Sequence, residues 1–259
     1  MLDKDQQNTH LSNETLIYSL LKRLQDPVYL PALAEVNELL ELNKAVKVSM
    51  GKFEQEHSIY EFWTREYIET LSGYLKERII SLRLRDKKII TILDTGAGDG
   101  RLCYFLRMSK NLSPLLDICR IIASDNGSWK ITPQFHVEKL DYKEALEKCK
   151  PDIVLCSFMP RGEDWTAAFR EQPSVKEYII IGDTDCTGND DTYGYGEGCS
   201  ANYDNGSFEI TNLNYTPPHE RDGFTRTNLF FSRLNHCVYD NDFIPDRSRT
   251  LSFRRTESA

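Results

Sequence analysis

The chain has 259 residues, of which 40% are hydrophobic and 28% charged, a composition that suits a globular fold and gives ample length for a core. No apolar run is long enough to span a bilayer, and the polar, partly acidic start lacks the marks of a signal or transit peptide, so the expected location is the cytoplasm, with the nucleus left open. A net charge of -8 disfavours a general nucleic-acid binder without excluding a local basic patch, and seven scattered cysteines without a Cys-x-x-Cys pair disfavour a disulfide framework or a zinc site.

Residues 1–11 are polar and read as disordered. From Ser12 the apolar residues Leu16, Ile17, Leu20, Leu21 and Leu24 share one helical face, with Ser12 or Asn13 as cap, until Asp26-Pro27 breaks the pattern. A second helix is expected from near Pro31, with Leu33, Val36, Leu39, Leu40 and Leu42 as its stripe. The two make a helical cap over residues 1–57. From Ser58 to about Leu84 one long helix is expected, because Tyr60, Trp63, Tyr67, Leu71, Tyr74 and Ile79 recur at helical intervals. An aromatic stripe of this kind is ordinarily core.

The stretch Ile89 to Leu106 organises the rest. An apolar run, Ile89 to Leu93, has the length and β-branched content of a buried parallel strand. It ends at Asp94 and passes into Gly96, Gly98 and Gly100, after which Leu102, Phe105 and Leu106 take helical spacing. Strand, glycine turn and helix are the first half of a nucleotide-binding βαβ unit: glycines let a ligand lie against bare backbone, and the helix turns its free N–H groups toward the same spot. A dinucleotide site asks for Gly-x-Gly-x-x-Gly. Here the third glycine comes one residue early and an acid precedes the first, so a NAD-type site and a ligand-free tight turn remain the lesser alternatives. Asp-x-Gly-x-Gly-x-Gly resembles motif I of the class I S-adenosylmethionine (SAM)-dependent methyltransferases.

That resemblance covers roughly Ile89 to Val238. It implies a Rossmann-like, three-layer α/β/α sandwich with a mostly parallel, seven-stranded methyltransferase-type sheet over residues 58–240, preceded by the helical cap. It also implies SAM as cofactor, held by Asp94, Gly96, Ala97, Gly98 and Gly100, with Ser157 across the crevice. Trp63 and Tyr67 on the preceding helix are weaker candidates for the methionine end. Cys119 to Ser124 reads as the second strand, ending at Asp125, an acid placed to accept both hydroxyls of a ribose. By the same resemblance Asn126 borders the adenine, while a turn-capping role is the plain alternative for Asp125. His136 to Leu140 is a short third strand. Leu140 and Asp141 fit the family's adenine site, although Asp141 can equally cap the helix from Tyr142 to Cys149.

Pro151 to Ser157 is the fourth strand, running into Phe158-Met159-Pro160 where amino-methylating relatives carry Asn/Asp-Pro-Pro-Tyr/Phe. The departure weakens a reading as a base or exocyclic-amine methyltransferase of nucleic acid. The segment from Glu163 to Arg170 looks helical, with Trp165 and Phe169 turned inward. Glu177 to Gly182 is the fifth strand. The Gly-, Asp- and Tyr-rich stretch from Asp183 to Gly206 reads as a long loop, expected to form a lid over the acceptor. Its acids lack the remaining pattern of a calcium loop, so no metal is expected. Ser207 to Tyr215 and Phe224 to Val238 are expected to close the sheet as an antiparallel pair. Residues 241–259 read as a flexible polar tail, whose Arg249, Arg254 and Arg255 beside serines and threonines suit phosphorylation or anion docking, with a solvated tail without function as the equal alternative.

Methyl transfer from a sulfonium needs placement more than acid–base chemistry, so the absence of a visible triad is no objection. Should a base be required, Glu163, Asp164, Asp183 and Asp185 are the candidates near the crevice, while His219 and His236 read as structural. The expected activity is methyl transfer to a small-molecule or protein acceptor, with no membrane partner and with the oligomeric state open. The alternatives are an RNA methyltransferase that uses the basic tail and a non-catalytic, methyltransferase-like binding protein.

Overall fold

Burial of Ile90–Thr95 on both faces sets the middle of the molecule. All six residues are buried, and Ile92 packs into one apolar layer while Leu93 packs into the opposite one, as the two-residue period of a strand requires. A computed structural model describes residues 4–46, 53, 56–86, 88–194, 199–202, 207–210, 216–229, 234–237 and 248–256.

The elements in chain order are α1 (Lys4–Gln25), α2 (Leu33–Val46), β1 (Glu61–Phe62), α3 (Arg65–Asp86), β2 (Ile90–Thr95), α4 (Arg101–Met108), β3 (Cys119–Asp125), β4 (Glu138–Lys139), α5 (Tyr142–Cys149), β5 (Ile153–Ser157), α6 (Thr166–Glu171) and β6 (Glu177–Asp183). There follow β7 (Cys199–Asn202), β8 (Ser207–Ile210), α7 (Pro218–Arg221), β9 (Phe224–Asn228), β10 (His236–Cys237) and β11 (Ser248–Arg255). The main sheet has seven strands in the order β4-β3-β2-β5-β6-β11-β9. Strands β4, β3, β2, β5 and β6 are parallel, and β11 runs antiparallel to both β6 and β9. Helices α3 and α4 cover one face, α5 and α6 the other. This is the three-layer, mostly parallel, seven-stranded sandwich that the resemblance implied. The chain order reverses between β2 and β5, which opens a crevice at the carboxyl ends of the strands there.

Three expectations need correction. The first concerns the carboxy-terminal segment: Ser248–Arg255 is not a flexible tail but the sixth strand of the sheet, inserted between β6 and β9. Its polar residues are buried because distant groups satisfy them. Thr250 Oγ1 lies 2.8 Å from Tyr67 Oη, Ser248 Oγ donates to Glu61 (2.6 Å), and Ser252 Oγ donates to Glu177 (2.6 Å). The partner expected in its place, Ser207 to Tyr215, contributes instead to a separate two-stranded sheet of β7 and β8, and residues 211–215 and 238–247 lie outside the described set.

Second, α3 begins at Arg65 rather than Ser58. Thr64 caps it by accepting from Tyr67 N (3.1 Å), and the preceding stretch is extended because β1 pairs with β10, Glu61 opposite Cys237. Third, α1 starts at Lys4, within the stretch expected to be disordered, and no Gly or Pro interrupts the sequence between Lys4 and Ser12. The cap has its own core of Ile17, Leu21, Leu24, Val36 and Leu39, which continues past residue 57 into Ile59 and Phe62. Arg65 N donates to Pro31 O (2.8 Å) and Leu33 N to Glu66 Oε2 (2.8 Å), which ties the cap to α3.

Candidate functional site

The carboxyl ends of β2, β3, β4 and β5 surround a cavity of about 400 Å³, within the usual range for a small-molecule site. Register explains why the strand tips meet there. Thr95 pairs with Ser124, Asp125 with Lys139, and Asp94 with Leu155, so the ends of these strands lie level and Ser157 reaches past the last pair between β2 and β5.

The glycine turn between β2 and α4 is held from both sides. Ala97 N donates to Ser124 O (2.9 Å), and Gly98 N donates to Asp125 Oδ2 (3.0 Å), while Asp125 Oδ1 accepts from Gly127 N (2.7 Å). Gly96, Gly98 and Gly100 all take positive φ, at 71°, 56° and 83°, a conformation that strains any residue with a Cβ. The three glycines nevertheless do different work. A Cβ on Gly96 would stand 3.0 Å from the Trp165 ring, and one on Gly100 would stand 2.8 Å from Val137. At Gly100, which does not line the cavity, bareness makes room for a neighbouring side chain; Gly96 lines the cavity, beside the Trp165 ring. At Gly98 the nearest atom would be Ile131 Cδ1 at 3.4 Å, ordinary contact, and Gly98 does line the cavity. Asp99 accepts from Arg101 N (3.0 Å) and Nε (2.7 Å), and Arg101 Nη1 donates to Leu24 O (3.2 Å), so the head of α4 is fastened to the cap.

Asp94 is 1% exposed and lines the cavity. Oδ2 accepts a weak hydrogen bond from Cys103 Sγ at 3.5 Å, while Oδ1 has no hydrogen-bond partner among the described residues. Burial, with Asp125 and Asp99 nearby, pushes its carboxyl up to about 7. An orphaned buried carboxylate oxygen beside a cavity fits a cationic or N–H-bearing ligand. Asp125 also fits, because each oxygen that takes one amide keeps a second lone pair for a hydroxyl. Asp141 is the cap of α5: its Oδ1 accepts from Lys143 N (2.7 Å) and Glu144 N (3.0 Å), with Glu144 returning the bond in a capping box. The cap does not use Oδ2, and Asp141 lines the cavity beside Leu140.

Trp63, Ala97, Asn126, Ser157 and Glu163 also line the cavity. Five expected site residues do not, Asp185 among them. Tyr67 is fully buried with its hydroxyl against Thr250, and burial holds that hydroxyl far above its ordinary range. Asp164 turns away, accepting from Thr166 N (2.9 Å) and standing 4.0 Å from Arg170. Asp183 is buried at the end of β6, where Oδ1 accepts from Asp185 N (2.8 Å). Gly100 packs on the 131–137 loop as described. His219 is buried away from the cavity, pushed down to about 4 by burial and the nearby Arg226 and Arg170.

The expected lid is also revised. Residues 183–194 pack behind the loop after β5 instead of over the cavity. Gly188 N donates to Met159 O (3.0 Å), Gly162 N to Gly188 O (2.7 Å), and Thr192 and Tyr193 are buried. Residues 195–198 and 203–206 lie outside the described set.

Sequence reasoning missed the aromatic wall. Trp165 stacks on Tyr142 (centroids 4.7 Å apart, 8° between planes) and donates from Nε1 to Glu163 Oε2 (2.5 Å). Tyr60 stands between Trp129 (5.5 Å) and Phe158 (5.4 Å). All five rings line the cavity. The signal was present in that Trp129 and Phe158 each follow closely on a strand tip. Among the described residues no cluster of three or more His, Cys, Asp or Glu is arranged to hold a metal ion, and no helix is long and apolar enough to cross a membrane.

No protein-family model and no curated protein matches the sequence. Among solved structures, the chain is similar to the CurJ carbon methyltransferase (TM-score 0.41, 13% identity, covering 98% of this chain and 71% of that one). It is also similar to the DszA carbon methyltransferase (0.40, 12%, 86% and 64%) and to the plantazolicin methyltransferase BpumL in complex with SAH (0.37, 14%, 93% and 99%). The chain thus spans a little under two thirds of the second of these.

Proposed function

We propose that the chain is a SAM-dependent methyltransferase acting on a small-molecule or protein acceptor. One observation carries the reading: at the point where strand order reverses, a glycine turn bound to the carboxylate at the next strand tip faces a cavity that also holds the orphaned Asp94 Oδ1. In this reading Gly98 and Ala97 give backbone approach, Asp125 takes the ribose hydroxyls, and Asn126, Leu140 and Asp141 border the adenine. Asp94 faces the positively charged methionine portion.

When bound, SAM supplies an electrophilic methyl group on a sulfonium. The residues of this chain then do three things. The strand tips fix one reactant, the aromatic wall excludes water and aligns the other, and any proton the acceptor releases passes to water at the cavity mouth or to Glu163. Placement at near-attack distance supplies several kcal/mol of such a barrier. Of the carboxylates expected to act as bases, Glu163 alone lines the cavity.

The test is calorimetry of the purified chain with SAM and with its demethylated product S-adenosylhomocysteine (SAH). Micromolar binding of both, weakened at least tenfold in Asp125→Ala, is the expected result. No binding of either by correctly folded protein overturns the reading. Radiolabelled SAM with fractionated extract then finds the acceptor.

A further inference from the structure

One wall of the cavity has a definite chemistry. Tyr60, from the extended stretch before α3, tilts at 59° to Trp129 beyond β3 and at 35° to Phe158 beyond β5. Three rings from three distant segments thus meet across the strand tips, and Trp129 stays 47% exposed although it is a large aromatic side chain. Phe158 is anchored to the sheet through its backbone, where Phe158 N donates to Ile181 O (2.9 Å).

Charge is the second, independent observation. Asp94, Asp99, Asp125, Asp141 and Glu163 line the cavity, against Arg101 and Lys143 as its basic groups, while the Glu61 carboxylate is spent on Ser248 and Asn235. Asp99 and Arg101 offset each other in a 2.7 Å ion pair. Asp94 Oδ1, in a residue 1% exposed, has no partner at all among the described residues. SAM carries one net positive charge, so it compensates only part of this excess. A second occupant bearing phosphate or carboxylate meets repulsion. One bearing a cation is favoured both by ring faces and by carboxylates, since aromatic quadrupoles and anions attract the same charge.

We propose that the acceptor half of the cavity, walled by Tyr60, Trp129 and Phe158, binds an organic amine as its ammonium ion and so selects amines as methyl acceptors. The inference rests on the methyltransferase reading and names its substrate class. The chemistry balances. The ammonium gives its proton to a cavity carboxylate or to water, and the freed nitrogen lone pair forms the N–C bond. The C–S bonding pair leaves on sulfur, and the positive charge passes from sulfur to nitrogen.

Three probes of nearly equal size and different charge test it: protonated benzylamine, benzyl alcohol and benzoate. Each is titrated into the protein with and without saturating SAH, followed by calorimetry and tryptophan fluorescence. The expected result is benzylammonium binding at least tenfold more tightly than benzyl alcohol, with benzoate weakest. Tyr60→Leu and Trp129→Leu are each expected to reduce that preference about tenfold while leaving SAH affinity within about twofold. Equal binding of amine and alcohol, a preference for benzoate, or no binding of any probe overturns the proposal. So does a parallel loss of SAH affinity in both variants, which assigns the rings to the cofactor. Failure of SAH to bind the unaltered protein is a separate result that sinks the methyltransferase reading itself.

Discussion

Asp94→Asn changes almost no volume and removes one buried charge, so it separates the cost of that charge from its use. In the folded chain the carboxyl titrates near 7, against 3.8 ordinarily, chiefly because burial disfavours the ionised form. Between those two values the folded state holds a proton that the unfolded state has lost. Stability therefore falls as pH rises through the window, by up to about 1.36 kcal/mol per pH unit. Over the whole window the ionised carboxylate costs the unliganded protein on the order of 4 kcal/mol. Urea unfolding of both proteins at pH 5, 6, 7 and 8 measures it. The stability of the variant relative to the parent is expected to climb by about 2 to 3 kcal/mol between pH 5 and pH 7 and to level off above that. Any constant penalty from the new amide cancels in this difference. A cationic ligand reverses the balance, because it gives Oδ1 the partner it lacks. SAM affinity of the parent is expected to rise from pH 6 to pH 8, and that of the variant to be roughly tenfold to a hundredfold weaker with no such rise. Parallel stability curves, or unchanged SAM affinity in the variant, refute the argument.

Two glycines give a paired test of the turn. Gly98→Val forces a β-branched residue to φ 56° beside Ile131 at the cavity and is expected to weaken SAM binding at least tenfold, with stability lowered by about 2 kcal/mol. Gly162→Ala, at φ 82° with nothing within 4 Å of the added carbon, is expected to cost about 1 kcal/mol of stability and leave SAM binding unchanged; calorimetry and urea unfolding read both. Glu177 is fully buried and accepts from Arg78 Nε (2.5 Å), Ser252 Oγ (2.6 Å) and Tyr74, so Glu177→Ala strands those partners and is expected to cost about 3 to 5 kcal/mol in urea unfolding. Truncation before Ser248 removes the sixth strand of the sheet and is expected to leave the chain without a cooperative thermal transition.

The same residues explain what the sequence revealed and what it hid. The unit Ile90 to Met108 was legible because its determinants are local: a fully buried run of β-branched residues, then glycines that alone tolerate positive φ, then a helical stripe. Strand β11 was illegible because Ser248, Thr250 and Ser252 read as solvent-facing, and only contacts with Glu61, Tyr67 and Glu177, 75 to 187 residues distant, make them core. The start of α3 was hidden by a genuine helical period from Tyr60 to Tyr74. Long-range pairing of Glu61 with Cys237 overrides that period, and Tyr60 meets Trp129 and Phe158 at the cavity instead of packing as one more helical aromatic. Gly100 was assigned to a ligand because a turn of positive-φ residues looks alike whether a cofactor or a side chain fills the space.

The carboxylates of the cavity argue for a reaction run by placement. Asp125 spends bonds on two amides that shape the turn, Asp141 caps α5, Asp99 pairs with Arg101, and Glu163 receives the indole of Trp165. Each already helps to hold a wall in position, so any proton taken up here goes to a lone pair that the structural bonds leave over, or to water, rather than to a base that moves toward its substrate. Asp94 is the exception, yet it is buried at the end of β2 beside Cys103. A displacement at a sulfonium tolerates this arrangement, because its leaving group departs neutral and asks for no acid. Hydrolysis or phosphoryl transfer does not, since both need a donor or cation aimed at developing negative charge, and the residues at these strand tips are predominantly acidic.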